Sequence, residues 1–170
     1  MTEVDDFYDA VKKLSALIFT NNDISNYIWQ NDYFRRFLIL VSANYFETKV
    51  SELLKNFANT KSGDPLLVSF LVKSTERQYY TYFDWNNARN ANTFFSYFGE
   101  DFSNNAKDDV NRNESLHKAI LAFLEIGQTR NNLVHKQFLH FSLPKTVDEY
   151  YSLYKEALEF MAYLNGKLIQ

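Results

Sequence analysis

The chain has no cysteine, and only four glycines and two prolines occur among its 170 residues. Without cysteine it can form neither a disulfide framework nor a thiolate zinc site. Because glycine and proline punctuate short strands and tight turns, their scarcity favours long helices. The longest apolar run, residues 37–41, is far too short to cross a bilayer, so we expect no membrane partner.

The chain also lacks an excess of basic residues. Its formal net charge of -3 argues against a general nucleic-acid coat protein, which would be basic overall, but it permits a small basic site on an acidic body. The first six residues, MTEVDD, carry neither the basic nor the apolar part of a secretory signal, so we expect a cytoplasmic location. A length of 170 residues suits one domain, 1–170, around one core.

Apolar residues recur at spacings of three and four along four stretches, which predicts four main helices. The predicted helices are residues 4–19, a second from Ser25 or Asp32 to Asn59, a third from Glu114 to Phe138, and a last one that begins at Thr146. Thr146 and Glu149 have the spacing of a capping box. On the last helix we expect an apolar face of Val147, Tyr151, Tyr154, Leu158, Met161 and Leu164.

The stretch between the second and third main helices is harder to interpret. Asp64 followed by Pro65 predicts a short helix. Ten aromatic residues lie in 79–102, and we interpret them as core or interface; the alternative is a stacking platform for single-stranded bases with Arg77 and Arg89. The polar residues 102–113 predict a mobile loop. The fold expected is an all-α bundle of four main helices with a helical insertion between the second and third.

The third predicted helix carries polar residues in the middle of its apolar face. One stripe reads Leu116, Ile120, Phe123, Gly127, Arg130, Val134 and Phe138, and the adjacent stripe reads Leu121, Leu124, Gln128, Asn131, His135 and Leu139. An arginine, an asparagine and a histidine are costly on a face built for burial unless they are paired or used. These three residues are therefore the candidate site.

Arginine and histidine together suffice for RNA cleavage without a metal. Arg130 would clamp a phosphate with a charge that it cannot lose, and His135 would exchange a proton near neutral pH. His135 would deprotonate a 2′-hydroxyl, which attacks the neighbouring phosphorus while Arg130 stabilises the charge on the equatorial oxygens. The sequence has no histidine pair at i, i+4 and no glycine-rich phosphate loop, so we predict no metal ligand and no cofactor. The alternative for Arg130 is a structural ion pair with Glu47 or Glu125.

One geometric difficulty accompanies this interpretation. Five residues of a regular helix leave Arg130 and His135 about 140° apart around the axis. Either the helix is distorted near Gly127, or two copies of the motif meet across a dimer axis and share one site. Asn131 would orient the backbone or His135, or touch the substrate. Lys136, together with His140 and Lys145, would supply a local positive field for RNA phosphates, unless these side chains are simply solvated.

The pattern Arg130-Asn131-x-x-x-His135, late in a long helix, resembles the R-x4-6-H motif of HEPN domains (higher eukaryotes and prokaryotes nucleotide-binding). The wider resemblance is to the RiboL-PSP type of HEPN and its relatives in bacterial defence and toxin systems, and it rests on residues 37–47, 82–85, 90–99 and 130–135. It implies a homodimer with the motif helices at the interface. It also implies a composite, metal-independent endoribonuclease site that leaves a 2′,3′-cyclic phosphate and a 5′-hydroxyl.

The resemblance also assigns roles to residues. It makes Arg130 and His135 catalytic, with Asn131 as the polar residue after the arginine. It also implies that an acidic residue on an earlier helix, here Glu47, supports the site. Lys136 is a candidate for substrate binding. Glu47 has a plainer alternative, a place at the solvent boundary. The resemblance implies a toxin or phage-defence effector with an antitoxin or defence-system partner. The alternative is a non-catalytic HEPN module for dimerisation, nucleotide or RNA binding that partners another protein.

Overall fold

The computed structural model describes residues 1–20, 23–75, 78–136, 138–139 and 141–169. Across these ranges the chain is helical and contains no strand. Its helices are α1 (Glu3–Thr20), α2 (Ile24–Ser62), α3 (Pro65–Thr75), α4 (Asn92–Ser96), α5 (Glu100–Arg112), α6 (Glu114–His135) and α7 (Val147–Ile169), with a 3-10 turn at Tyr79–Thr81. The predicted all-α fold is confirmed. The main helices are α1, α2, α6 and α7, and α3 to α5 form the insertion between the second and third.

The core lies where α2, α6 and α7 meet, and α1 packs chiefly against α2. On α2 the apolar residues Ile39, Ala43, Phe46, Val50 and Leu53, which recur at spacings of four and three, are buried. Its central ring, Phe46, lies 5.4 Å from Phe123 of α6 and 5.5 Å from Tyr154 of α7 between ring centroids. A single aromatic side chain therefore joins the three helices. None of the helices described above is long and apolar enough to span a membrane.

The last main helix begins as predicted, but its buried face matches the predicted one only at Val147, Tyr154 and Leu164. The backbone N–H of Thr146 donates to Glu149 Oε2 at 2.7 Å, and the N–H of Glu149 donates to Thr146 Oγ1 at 3.2 Å, so the capping box is confirmed. The buried residues of α7 are Val147, Tyr150, Tyr154, Ala157, Phe160, Leu164 and Leu168. The predicted Tyr151, Leu158 and Met161 are only partly buried. Because α7 contacts both α6 and α2, its buried face is wider than one stripe and is turned toward Phe160.

The prediction of a mobile loop over residues 102–113 is wrong, because most of this segment belongs to α5. The helix turns a sparse apolar stripe toward the core, made of Phe102, Ala106 and Val110. Its polar face is hydrogen-bonded to α7, because Tyr163 and Lys167 donate to Asp109 Oδ2 at 2.9 Å and 2.6 Å. Because most residues of this segment are polar, its apolar stripe, with a spacing of four, was not recognised in the sequence.

The aromatic stretch confirms the core interpretation. Tyr79, Tyr82, Phe83, Trp85, Phe94 and Phe95 are buried, and Phe83 stacks on Phe94 with ring centroids 4.9 Å apart. Of the two arginines invoked for a stacking platform, Arg77 lies outside the described residues and Arg89 is exposed. These rings belong to the insertion, and Phe83 and Trp85 pack against Phe123 of α6 with ring centroids 4.8 Å and 5.7 Å away.

The start of α1 is anchored to α7 through a buried carboxylate. Asp5 is 8% exposed and accepts hydrogen bonds from the Tyr151 hydroxyl at 2.7 Å, the Thr2 backbone N–H at 2.8 Å and Lys155 Nζ at 3.3 Å. Burial alone would raise the pKa of Asp5, but these hydrogen bonds outweigh it and lower the pKa from 3.8 to about 2.

We expect Asp5→Asn to lower the free energy of unfolding by about 1–2 kcal/mol at pH 7, because the charged carboxylate is stabilised only in the folded state. A depressed pKa contributes stability above the unfolded pKa and loses it as pH falls through the folded value. The difference between wild type and Asp5→Asn should therefore roughly halve by pH 3. Urea unfolding at both pH values measures it, with the exposed Asp9→Asn on the same helix as control. An equal difference at both pH values would contradict the role of the Asp5 charge.

Candidate functional site

The motif occupies the last turns of α6. This helix is unbroken from Glu114 to His135, so the alternative of a distortion at Gly127 is not observed, and the helix ends three residues earlier than the predicted Phe138. Gly127 is required for a different reason. A Cβ added there would overlap the Trp85 ring, lying 2.8 Å from Cη2 and closer still to Cζ3 and Cε3. Glycine lets the aromatic insertion pack directly on the backbone of α6.

Arg130, Asn131 and His135 line one open pocket of about 470 Å³. Arg130 and Asn131 are half-buried, whereas His135, the last residue of the helix, is exposed. The remaining walls come from the insertion: Tyr80, Phe83, Asp84, Trp85 and Asn86. The three side chains predicted from the motif therefore share one cavity within a single chain.

The insertion wall of the pocket is fastened to α6. Trp85 lies on Gly127, and its indole Nε1–H donates to the carbonyl oxygen of Tyr80 at 3.0 Å. The next residue of the helix, Gln128, donates from Nε2 to the carbonyl oxygen of Asn86 at 3.0 Å. The insertion is therefore attached to α6 at two consecutive residues.

The Arg130 guanidinium lies over an aromatic face. Its Cζ is 4.5 Å from the centroid of the Tyr80 ring, and its Nη1 donates to Asn131 Oδ1 at 3.2 Å. Among the residues that the structure describes, it forms no salt bridge with Glu47 or Glu125, because Glu125 pairs with Lys145. The alternative of a structural ion pair is therefore not observed in this part of the chain. Most of the five N–H donors of Arg130 remain available for an anion.

Glu47 reaches this arrangement indirectly. Its Oε2 accepts a hydrogen bond from the Tyr80 hydroxyl at 2.9 Å, while Glu47 itself lies on α2 outside the walls of the pocket. Burial, followed by the hydrogen bond to Glu47, raises the pKa of Tyr80 to about 12, although the charge of Arg130 acts in the opposite direction. Tyr80 is consequently protonated at neutral pH and acts as the donor in this bond.

The supporting basic residues are less well placed than expected. Lys136 is exposed directly after α6 and is not part of the pocket wall; its backbone N–H donates to the Asn132 carbonyl oxygen at 2.8 Å. Lys145 is engaged by Glu125. His140 lies outside the described residues. The positive charge in the pocket therefore comes chiefly from Arg130.

Asp84 is a wall residue that the sequence did not single out. Its carboxylate accepts from the side-chain amide of Asn87 at 2.6 Å and from the backbone N–H groups of Asn86 and Asn87 at 3.2 Å each. These bonds, led by the one from the Asn87 side chain, lower the pKa of Asp84. The carboxylate therefore shapes the turn and brings negative charge to the pocket that Arg130 occupies.

A protein-family model described as RiboL-PSP-HEPN matches residues 5–170 of the chain. No curated protein and no solved structure gives a significant match. The matched range includes α2, the aromatic insertion and the whole of α6, so the pocket lies entirely within it.

Proposed function

Because the chain belongs to the RiboL-PSP-HEPN family, which indicates an RNA-related nuclease or binding function, we propose that it is a metal-independent endoribonuclease. The main support for this proposal is the environment of the Arg130 guanidinium. Its guanidinium stands in an open pocket with His135, held by an aromatic ring and an amide rather than neutralised by a carboxylate. A cation kept in this way suits the binding of a phosphate.

The reaction is an internal displacement at phosphorus. Arg130 holds the non-bridging oxygens of the scissile phosphate, and neutral His135 takes the proton of the adjacent 2′-hydroxyl. The 2′-oxygen forms a bond to phosphorus, and the bond from phosphorus to the 5′-oxygen breaks. The leaving 5′-oxygen takes up a proton from water, and His135 returns its proton to the solvent, so the products are a 2′,3′-cyclic phosphate and a 5′-hydroxyl. Arg130 contributes most where negative charge grows on the equatorial oxygens, and Asn131 steadies Arg130.

We propose that two chains pair through their motif helices. HEPN domains commonly dimerise and bind RNA. In this chain Val134 and Leu139, on either side of His135, are 49% and 57% exposed. Exposed apolar groups beside a polar site suit an interface whose centre excludes water. A second copy of α6 would cover His135 and bring a second set of motif residues to a shared site.

The biological role proposed is that of a toxin or phage-defence effector restrained by an antitoxin or a defence-system partner. Glu47 supports the site in this proposal, and the exposed Lys136 meets RNA phosphates beyond the pocket. A second candidate function is a non-catalytic module that binds RNA or a nucleotide for another protein. The net charge of -3 and the Asp84 carboxylate in the pocket wall weaken the attraction for a long RNA, so they favour the form of this second candidate that binds a nucleotide.

We expect purified protein to cleave RNA oligonucleotides in excess EDTA. The products should carry a 2′,3′-cyclic phosphate and a 5′-hydroxyl, so polynucleotide kinase should label the downstream fragment without prior phosphatase treatment. A substrate with a single 2′-deoxy residue at the cleaved position is the matched control and should resist, because it lacks the nucleophile. Products with a 3′-hydroxyl, or cleavage of the 2′-deoxy substrate, would contradict this mechanism. Binding of RNA without cleavage would favour the second candidate.

A further inference from the structure

The Tyr80 side chain is fixed from three directions. Its hydroxyl is bound to Glu47 of α2, and the Trp85 indole holds its backbone carbonyl oxygen. Its ring packs edge-on against the buried Tyr79, with centroids 5.2 Å apart. A residue held in this way is a rigid surface, and the surface it offers to the pocket is the ring face beneath Arg130.

Arg130, by contrast, has little else to hold it. The hydrogen bond from its guanidinium goes to Asn131, the next residue on the same helix. An arginine side chain has many rotamers, and ordering it costs conformational entropy unless a partner restricts it beforehand. The Tyr80 ring is that partner, because it comes from a different part of the chain.

We propose that Glu47 and Tyr80 form a positioning pair that holds the Arg130 guanidinium at the place where the scissile phosphate binds. This inference rests on the proposed nuclease function and assigns Tyr80 a role that the motif does not include. Glu47 fixes the Tyr80 hydroxyl, the hydroxyl fixes the ring, and the ring fixes the guanidinium plane.

The indirect connection has a chemical advantage over a direct ion pair. A carboxylate in contact with Arg130 would occupy its N–H donors and neutralise the charge that the phosphate needs. The electron-rich face of a phenol attracts the guanidinium but leaves the N–H donors at its edge free. Because the hydroxyl donates to an anionic acceptor, polarisation along this bond makes the ring face more negative and strengthens its hold.

Four variants separate the parts of the pair. Tyr80→Leu removes the ring and should lower kcat about 100-fold, the penalty that a displacement of about 1 Å can cause. Tyr80→Phe keeps the ring but loses the hydroxyl, and Glu47→Ala loses the acceptor; each should lower kcat about tenfold with KM little changed. The double variant Tyr80→Phe/Glu47→Ala should be no slower than either single one, because both break the same bond. The exposed Tyr97→Phe is the matched control and should keep the wild-type kcat.

A second readout does not depend on catalysis. The ring current of Tyr80 should shift the Nε–H resonance of Arg130, which is assigned by its disappearance in Arg130→Lys. The resonance should move toward the position of a free arginine in Tyr80→Leu and partly so in Glu47→Ala, with no change in Tyr97→Phe. A purely structural role for Tyr80 would lower Tm but would leave kcat unchanged below the transition.

The outcomes distinguish this inference from the function on which it rests. If wild type cleaves RNA, Arg130→Ala does not, and Tyr80→Leu keeps the wild-type kcat, the positioning pair is overturned while the nuclease stands. If wild type does not cleave RNA, the nuclease proposal fails, and the Arg130 Nε–H resonance then tests the positioning pair by itself. A resonance that Tyr80→Leu does not move overturns the pair. A resonance that moves supports the pair as the structure that holds Arg130.

Discussion

Arg130→Ala and His135→Ala are each expected to lower the rate of RNA cleavage by about 100- to 1000-fold or more. Removal of Arg130 takes away the one permanent cation among the described residues of the pocket wall, so the charge on the equatorial oxygens loses its partner. Removal of His135 takes away the group that, within the same described wall, is suited to accept the proton of the 2′-hydroxyl near neutral pH. Single-turnover cleavage with enzyme in excess measures the chemical step in both variants.

Conservative variants refine this prediction. Arg130→Lys keeps a positive charge but loses the planar fork, so its rate should fall between those of wild type and Arg130→Ala. Lys136→Ala lies outside the pocket and should raise KM with kcat nearly unchanged, as expected for a contact with phosphates beyond the site. The exposed Lys118→Ala, in the first half of α6, serves as control. A wild-type rate in either Arg130→Ala or His135→Ala would remove the motif from the chemistry.

Mixing Arg130→Ala with His135→Ala tests whether one site takes its motif residues from two different chains. If the site spans a two-fold axis, an Arg130→Ala chain still supplies His135, and a His135→Ala chain still supplies Arg130. The mixture, after exchange of subunits, should then regain activity that neither variant has alone. A mixture that stays inactive while co-purification of differently tagged chains shows mixed dimers would mean that each chain needs both residues in its own pocket.

Helical spacing predicted the positions of the helices more reliably than it predicted which neighbouring helices each of them packs against. Long stripes on α2 and α6 gave unambiguous periodicity, and the predicted start of α3 is confirmed by Asp64 Oδ1, which accepts from the N–H of Leu66 at 2.8 Å. Periodicity failed on α5, where only every fourth residue is apolar. On α7 several stripes are apolar, and only tertiary packing against α6 and α2 selects among them.

The site residues likewise include some that lie close together in the sequence and one that only the tertiary fold brings to them. Arg130, Asn131 and His135 lie within six positions of one helix, so the sequence could bring them together. Tyr80 lies 50 positions earlier in the chain, and no spacing rule connects it to Arg130. The predicted burial of the α6 stripe also fails at its end, because Val134 is 49% exposed. Glu47 was expected to support the site, and the contact that the structure shows for it is with the Tyr80 hydroxyl, a connection that the sequence does not reveal.

The second large effect is expected from Gly127→Ala. Inside a helix this change normally stabilises a protein by about 0.5–1 kcal/mol. Here the new Cβ would overlap the Trp85 ring, which is 7% exposed and packed against Tyr79 and Phe83. Because neither a large buried ring nor a helix backbone can yield cheaply, we expect the free energy of unfolding to fall by about 3 kcal/mol. Urea unfolding followed by far-UV circular dichroism measures it.

Gly166→Ala on α7 is the matched control, since a Cβ added there meets nothing within 4 Å and should leave the protein equally or more stable. In a Trp85→Leu background the penalty of Gly127→Ala should largely disappear, which would assign it to the indole. Equal stability of Gly127→Ala and wild type would show that the ring can move aside. The indole also holds the Tyr80 carbonyl oxygen, so its displacement would move Tyr80 and the guanidinium of Arg130. Gly127→Ala should therefore lower kcat even at temperatures where the variant is fully folded, which connects the packing of the insertion to the chemistry of the pocket.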